Sequence, residues 1–333
     1  MAEDYVIGVD LGGTRLRAAL MDDDLTIRAR EEVLTNAQEG FEASFERMKS
    51  LIRSIWPSSG EVRVQGIGVS IPGPTNPFTG VVELGTNLQG WHHIPLANLL
   101  SEEFGVPVFL GNDANVAALA EATRGAAVGY KHVIFITLST GVGSGIIIDG
   151  RLLLGREGLA GEAGHIVIDV DGDNVSTFEK EASGTALGRK ARERVAVGEE
   201  SLMLSLAGGD ISKITGKTVS EAAAHGDEVA LEVIENVGFM AGLGIVSLLH
   251  VFNPEIVVFG GPVSGLGDRL FGPMRAAIEE HAITREYWKD LVIALAGLGE
   301  NVSLVGAGVL VLTNGGVDSI AKVKAKLRAE ARD

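Results

Sequence analysis

Residues 6–20, Val-Ile-Gly-Val-Asp-Leu-Gly-Gly-Thr-Arg-Leu-Arg-Ala-Ala-Leu, constrain this 333-residue chain more than any other stretch. An apolar run enters an acid-Gly-Gly-Thr turn and a second apolar run leaves it, the pattern of two strands joined by a tight hairpin. Gly12 and Gly13 let backbone N–H groups approach a phosphate with no Cβ in the way. Asp10 closes the first strand, where a carboxylate can hold Mg²⁺ directly or through water, and Thr14 adds a hydroxyl. An ordinary core hairpin has the same look. A second copy over 132–150, with Ser139, Thr140, Gly141 and Gly143 in its turn, repeats the pattern. Two such hairpins about 130 residues apart point to a duplicated architecture whose turns face each other across a cleft. Opposed phosphate-gripping hairpins suit a nucleotide-dependent phosphotransferase.

The bulk composition sets limits on this reading. The length predicts two α/β lobes, over 1–115 and 116–314, with 315–333 as a last amphipathic helix packing on the first lobe or a fraying end. A hydrophobic content of 46% supports large cores, and the 45 glycines fall between apolar runs, as turns do. The net charge of −16 disfavours nucleic-acid and anionic-membrane partners. The absence of cysteine excludes disulfides and thiolate metal sites. Glu3 and Asp4 stand where a signal peptide carries basic residues, and the apolar stretch Val237–Phe252 is short for a membrane span, so a cytoplasmic protein is expected. Strands are expected at 5–11, 15–21, 25–33, 62–70, 106–110, 132–148 (as a hairpin), 256–259 and 291–294. Helices are expected at 40–56, 94–104, 114–126, 179–196, 201–206, 218–224, 227–252, 268–282 and 302–314.

Between the two hairpins, Val106 to Ala118 reads as strand, turn and helix. Asp113 falls at the helix start, and two roles are open to it. It can cap the helix, or it can be a general base that takes a proton from a substrate hydroxyl. A carboxylate at a helix N-terminus stays ionised, so the roles are compatible. Asn112 beside it can both donate to and accept from sugar hydroxyls. Further on, Glu162 and His165 sit among Gly and Ala, which leave room for a ligand, and Glu179 follows. Together they suit bidentate hydrogen bonding to vicinal hydroxyls such as a hexose presents. A buried strand ending at Gly260 and Gly261 offers a place where a base and ribose can lie against backbone.

Taken in order, DLGGT (10–14), SIPGP (70–74), NLQGW (87–91), GNDAN (111–115), LSTGVGSGII (138–147), GEAGH (161–165), EASG (181–184) and PEIVVFGG (254–261) resemble the ROK family, and within it the sugar kinases. The resemblance covers roughly residues 5–312. It implies an actin-like ATPase (ribonuclease H-like) α/β fold, with two lobes around a central cleft. It implies ATP-dependent phosphorylation of a hexose, glucose above others, with fructose, mannose or N-acetylhexosamine kinases and a non-catalytic sugar sensor as alternatives. Asp113 would be the base. Gly73, Asn87, Asn112, Glu162, His165 and Glu179 would meet the sugar. Asp10, Gly12, Gly13, Thr14, Thr140 and Gly141 would meet the phosphates and Mg²⁺, and Gly260 and Gly261 the adenosine. A homodimer or larger assembly is implied.

Two departures matter. Many family members hold structural zinc in a cysteine-rich loop after the Gly-His pair, whereas 169–178 here contains no cysteine, so no zinc is expected. Asp169, Asp171 and Asp173 alternate in that segment and read as an exposed acidic loop. Family repressors carry a helix-turn-helix ahead of the core; the first phosphate motif here lies within ten residues of Met1, so DNA binding is not expected.

Overall fold

The computed structural model describes residues 3–58 and 62–321. Two compact units emerge: one takes the described chain up to Phe135, Gly145–Gly161 and the described residues from Ala296 on, the other Ile136–Ser144 and Glu162–Leu295.

The chain begins with β1 (Glu3–Leu11), β2 (Arg15–Asp22), β3 (Ile27–Leu34), α1 (Phe41–Ile55) and β4 (Val62–Ile71). A small sheet of β5 (Thr75–Asn76), β6 (Val81–Leu84) and β7 (His92–Ile94) follows, then α2 (Leu96–Phe104), β8 (Val108–Asn112) and α3 (Asp113–Arg124). The second hairpin is β9 (Val133–Leu138) and β10 (Val142–Ile148), with β11 (Arg151–Leu152) after it. Next come β12 (Val167–Asp171), β13 (Asn174–Thr177), α4 (Phe178–Ala182), α5 (Gly184–Ala196), α6 (Leu202–Leu206), α7 (Gly216–Ala224) and α8 (Glu228–Phe252). β14 (Ile256–Gly260), α9 (Asp268–His281), β15 (Val292–Leu295) and α10 (Val302–Leu312) complete the order.

The two large sheets share one plan. Their orders are β3-β2-β1-β4-β8 and β11-β10-β9-β14-β15, each with the first strand of its glycine hairpin in the middle. In the first, β2 runs antiparallel to β1 while β4 and β8 run parallel. The duplication expected from the two hairpins is present in this topology. β1 is buried from Val6 to Leu11 without alternation, as a strand covered on both faces must be. At the edge, β3 is charged and largely exposed, which discourages pairing with another chain.

One face of the first sheet is covered by α10, and the fit is unusually close. A Cβ on Gly68 would fall 1.7 Å from the Ala307 carbonyl oxygen, and one on Gly8 2.3 Å from the Leu304 carbonyl oxygen, both far inside contact distance. In the second unit α8 packs on α9, α4, α5 and α7. Among the described residues α8 alone is long and apolar enough to cross a membrane, and 61% of its most apolar window is buried in the protein.

Two local expectations change. The single helix expected over 179–196 is split at Ser183, which is extended and caps α5 by accepting from the Ala186 N–H. The break lets the Gly184 N–H reach the Ser139 carbonyl at 2.7 Å. The segment expected as an acidic loop is the antiparallel β12–β13 hairpin, with Val170 paired to Val175 and Asp171 to Asn174. Its acids are exposed, and among the described residues no cluster of three acidic or imidazole side chains is set to hold a metal. Of the last helix expected over 315–333, residues 322–333 lie outside the described residues.

The hairpin, which contains no cysteine, is tied down by a small ionic cluster. Ser176 donates to Glu181, which also meets Lys190 Nζ at 2.5 Å and Arg189 Nη2 at 3.5 Å. Burial alone would raise the Glu181 carboxyl, but Lys190, Ser176 and Arg189 outweigh it and hold it below the usual carboxylate range. A carboxyl lowered in the native state adds stability above its unfolded value, near pH 4.3, and loses it as pH falls through the native value. Glu181→Gln should therefore cost about 1–3 kcal/mol at pH 7 in urea unfolding, with the gap from wild type closing as pH drops below that range. An equal gap at pH 7 and pH 3 would show that the charge is not what ties the hairpin.

Candidate functional site

Within each unit, several of the sequence-derived residues lie at the carboxyl ends of the central strands, where open α/β sheets commonly bind ligands. In the first unit, Asp10 is the penultimate residue of β1, Gly73 follows β4 and Asn112 ends β8. Strand register places Asp10 beside Ser70 and Ser70 beside Gly111.

The Gly12–Gly13–Thr14 turn is held from outside. Gly12 N–H donates to the Arg15 carbonyl (2.9 Å), while Thr35 gives its hydroxyl to the Gly12 carbonyl (2.6 Å) and its N–H to that of Thr14 (2.9 Å). Gly13 and Thr14 remain exposed. Gly13 lies against Asn87, itself exposed with φ of 62°. Gly73, with φ of 105°, sits under the Leu84 carbonyl and Thr86, where a side chain would be both strained and blocked. The loop that carries Gly73 thus packs on the loop that carries Asn87.

Asp10 is 8% exposed. Its Oδ2 accepts from Arg17 Nε (2.9 Å) and Nη2 (2.5 Å). Burial pushes its carboxyl above the usual range, and the charge and hydrogen bonds of Arg17 offset only part of this. Beside it, the buried Ser70 hydroxyl has no hydrogen-bond partner among the described residues. A carboxylate flanked by an unsatisfied hydroxyl fits a hydrated Mg²⁺, which keeps several waters and needs only one or two protein carboxylates.

At the β8–α3 junction the structure separates the two roles left open for Asp113. Asn112, extended at ψ of 158°, is the N-cap: its side-chain oxygen accepts from the Asn115 N–H at 2.8 Å. Asp113 is therefore not the cap but the first helical residue, exposed, with Oδ1 against the Ala114 N–H at 2.8 Å. The cap commits one atom of Asn112 and leaves its amide group to donate. Asn112→Ala should cost about 1 kcal/mol of stability by urea unfolding. A change below about 0.3 kcal/mol would mean that the cap does not hold the helix start.

In the second unit, the 139–141 turn is braced by α4 and α5. Ser139 N–H donates to the Gly141 carbonyl (2.9 Å), and Thr185 gives its hydroxyl to the Thr140 carbonyl (2.7 Å). Glu179 Oε2 accepts from the Val142 N–H at 2.9 Å and lies directly against Gly141. Glu179, expected among the sugar-facing residues, is thus half-buried against the phosphate-type turn. Gly261, with φ of 84°, presses on the Leu138 carbonyl; any side chain there would collide with it, so the turn after β14 and the end of β9 meet backbone to backbone. Glu162 precedes and His165 ends a short helical turn, Ala163–His165, and both are exposed. That turn is fixed by Ser144 Oγ, which accepts from the Ala163 N–H (3.0 Å), and is linked to α4 by the Phe178 N–H to Ile166 carbonyl bond (2.9 Å). Arg17, Thr35, Ser144 and Thr185 were not singled out from the sequence; only for Arg17 was there a signal, its place opposite Asp10 across the hairpin.

The model of the ROK family matches residues 6–314. The chain belongs to the ROK family. A glucokinase from Thermotoga maritima is 34% identical over 92% of this chain and 96% of its own length. The solved structure of a ROK family glucokinase from Streptomyces griseus, in complex with glucose and AMPPNP, is 34% identical, covers 92% of this chain and 98% of its own, and superposes with a TM-score of 0.73. A ROK hexokinase from Thermus thermophilus is 30% identical, covers 96% and 99%, and gives 0.75. The fold is accordingly the actin-like ATPase α/β fold of ROK family sugar kinases.

Proposed function

We propose that this ROK family protein transfers the γ-phosphoryl group of ATP to a hexose, with glucose as the preferred acceptor and glucose 6-phosphate as product. The observation that carries the reading is the arrangement at 112–113: Asn112 does the capping, so the Asp113 carboxylate is exposed at the end of the sheet. Its likeness to glucokinases over nearly its whole length supports the same reading.

In the reaction, Asp113 accepts the proton of the sugar hydroxyl as that oxygen attacks the γ-phosphorus in line. The new O–P bond forms as the bridging O–P bond to ADP breaks, and the electron pair leaves with ADP. Asn112, Glu162, His165 and Glu179, with Gly73 and Asn87, orient the sugar. Gly12, Gly13, Thr14, Thr140 and Gly141 face the phosphates, with Gly13 and Thr14 exposed in their turn, and Gly260 and Gly261 face the adenosine. Asp10 is the residue that would hold Mg²⁺; when bound, that ion offsets charge on the phosphoryl oxygens. We place the protein in the cytoplasm, as a homodimer or larger assembly.

An ADP-release assay over glucose, mannose, fructose and N-acetylhexosamines, with ATP and polyphosphate as donors, tests this. Glucose with ATP should give the highest kcat/KM. Measurable glucose binding without turnover of any sugar would overturn the enzyme reading in favour of a sugar sensor.

A further inference from the structure

Glu121 is a fully buried acid, 0% exposed, on the same helix that begins at Asp113. Its partners are all backbone N–H groups. Oε2 accepts from Ala126 (2.7 Å) and Gly297 (3.1 Å), and Oε1 from Gly297 (3.0 Å) and Leu298 (3.1 Å). Both oxygens must accept. A glutamine would turn an N–H donor toward N–H groups, so the place calls for a carboxylate. A buried carboxylate is costly to desolvate. For closing a surface loop alone, a carbonyl or hydroxyl would serve at lower cost.

What Glu121 holds is the Gly297–Leu298 turn, which runs through Gly299–Asn301 into α10. That short helical turn carries two anchors for the first sheet. The Glu300 carbonyl accepts from Arg17 Nη1 at 3.0 Å, and Asn301 Oδ1 accepts from Arg30 Nη1 at 3.0 Å. Arg17 then grips Asp10 through Nε and Nη2. Glu121, the 297–300 turn, Arg17 and Asp10 therefore form one continuous chain of contacts.

We propose that Glu121 is a positioning residue for the phosphate-donor end of the site: it fixes the 297–300 turn, through it Arg17, and so the carboxylate of Asp10. One rigid helix then sets both ends of the transfer, Asp113 at its start and Asp10 by way of Glu121. The proposal rests on the nucleotide-handling role given to Asp10 above.

The test uses the full chain, with ATP·Mg²⁺ titrated calorimetrically in the absence of sugar and glucose titrated separately. Glu121→Gln and Arg17→Gln should each weaken ATP·Mg²⁺ binding about tenfold and leave glucose binding within about twofold. Because both act through one chain of contacts, the double variant should bind no more than about twofold worse than the weaker single one. A roughly hundredfold loss in the double variant, or parallel losses of nucleotide and glucose affinity, overturns the proposal. A measurement on the wild type covers a Glu121 variant that fails to fold: amide exchange at Gly297 and Leu298 should slow when ATP·Mg²⁺ binds, since coupling is reciprocal. Unchanged exchange at both amides overturns it. Wild-type protein that binds ATP·Mg²⁺ but phosphorylates no sugar overturns the kinase reading and leaves this test intact; failure to bind ATP·Mg²⁺ overturns both.

Discussion

Asp113→Asn is expected to lower kcat by about 10²–10⁴-fold, the usual worth of a positioned general base, while the KM for glucose stays within about threefold of wild type. The substitution keeps the size of the side chain and an oxygen able to accept from the Ala114 N–H, the contact made by Oδ1. It removes the negative charge and the capacity to take a proton, and puts an NH2 donor in place of the second oxygen. Stability should not move by more than about 0.5 kcal/mol, because the start of α3 is secured by Asn112 and residue 113 is exposed. The effect therefore falls on the chemical step, and kcat and kcat/KM should drop together. Steady-state kinetics with urea unfolding of the same sample checks both halves. Turnover within about threefold of wild type would remove Asp113 from the mechanism.

The largest effect on stability is expected from Gly68→Ala, at about 3 kcal/mol or more, above the usual range for an added methyl group in a core. The added atom would lie 1.7 Å from the Ala307 carbonyl oxygen, and behind it stand the Ala307 carbonyl carbon and Cα. Side chains escape a crowded spot by changing rotamer; a helix backbone has no such option. Either α10 lifts from β4, or β4 bends away from β1 and β8. Lifting α10 strips contacts from β1, β4, β8 and α3 together, since the helix packs on all four. Domains are commonly stable by about 5–15 kcal/mol, so this loss should be plain as a lower urea midpoint. Gly265→Ala, where an added Cβ meets nothing within 4 Å, is the matched control and should change stability by about 0.5 kcal/mol or less. Equal behaviour of the two variants would refute the close-packing account.

Where the sequence was informative, the reason was pattern with punctuation. Strands expected at 5–11 and 15–21 are found at Glu3–Leu11 and Arg15–Asp22, because uninterrupted apolar runs bounded by Gly-Gly leave little else to form. Pro57 likewise bounded α1, found at Phe41–Ile55. The hairpin over 167–177 was hidden because its valines, Val167, Val170 and Val175, face solvent and are interspersed with acids, so no buried face announces a strand. The break at Ser183 depends on a contact with Ser139, more than forty residues earlier, that no local preference reports. At 112–113 two good capping residues stand side by side, and only the extended backbone of Asn112 decides which of them caps. The burial of Glu121 follows from what surrounds α3 rather than from the helix itself.

The contact between α10 and the first sheet also bears on how the chain is made. Gly8 and Leu304 touch across about 300 residues of sequence. On a ribosome the first sheet emerges about 300 residues ahead of the helix that must seal one of its faces. Residues 162–295, by contrast, are contiguous and belong to a single unit. The second unit can therefore mature during synthesis, while the first waits with apolar strands uncovered until α10 has been made. The interval in which a nascent chain of this kind most needs a chaperone is set by the position of α10, about 300 residues after the strands it protects.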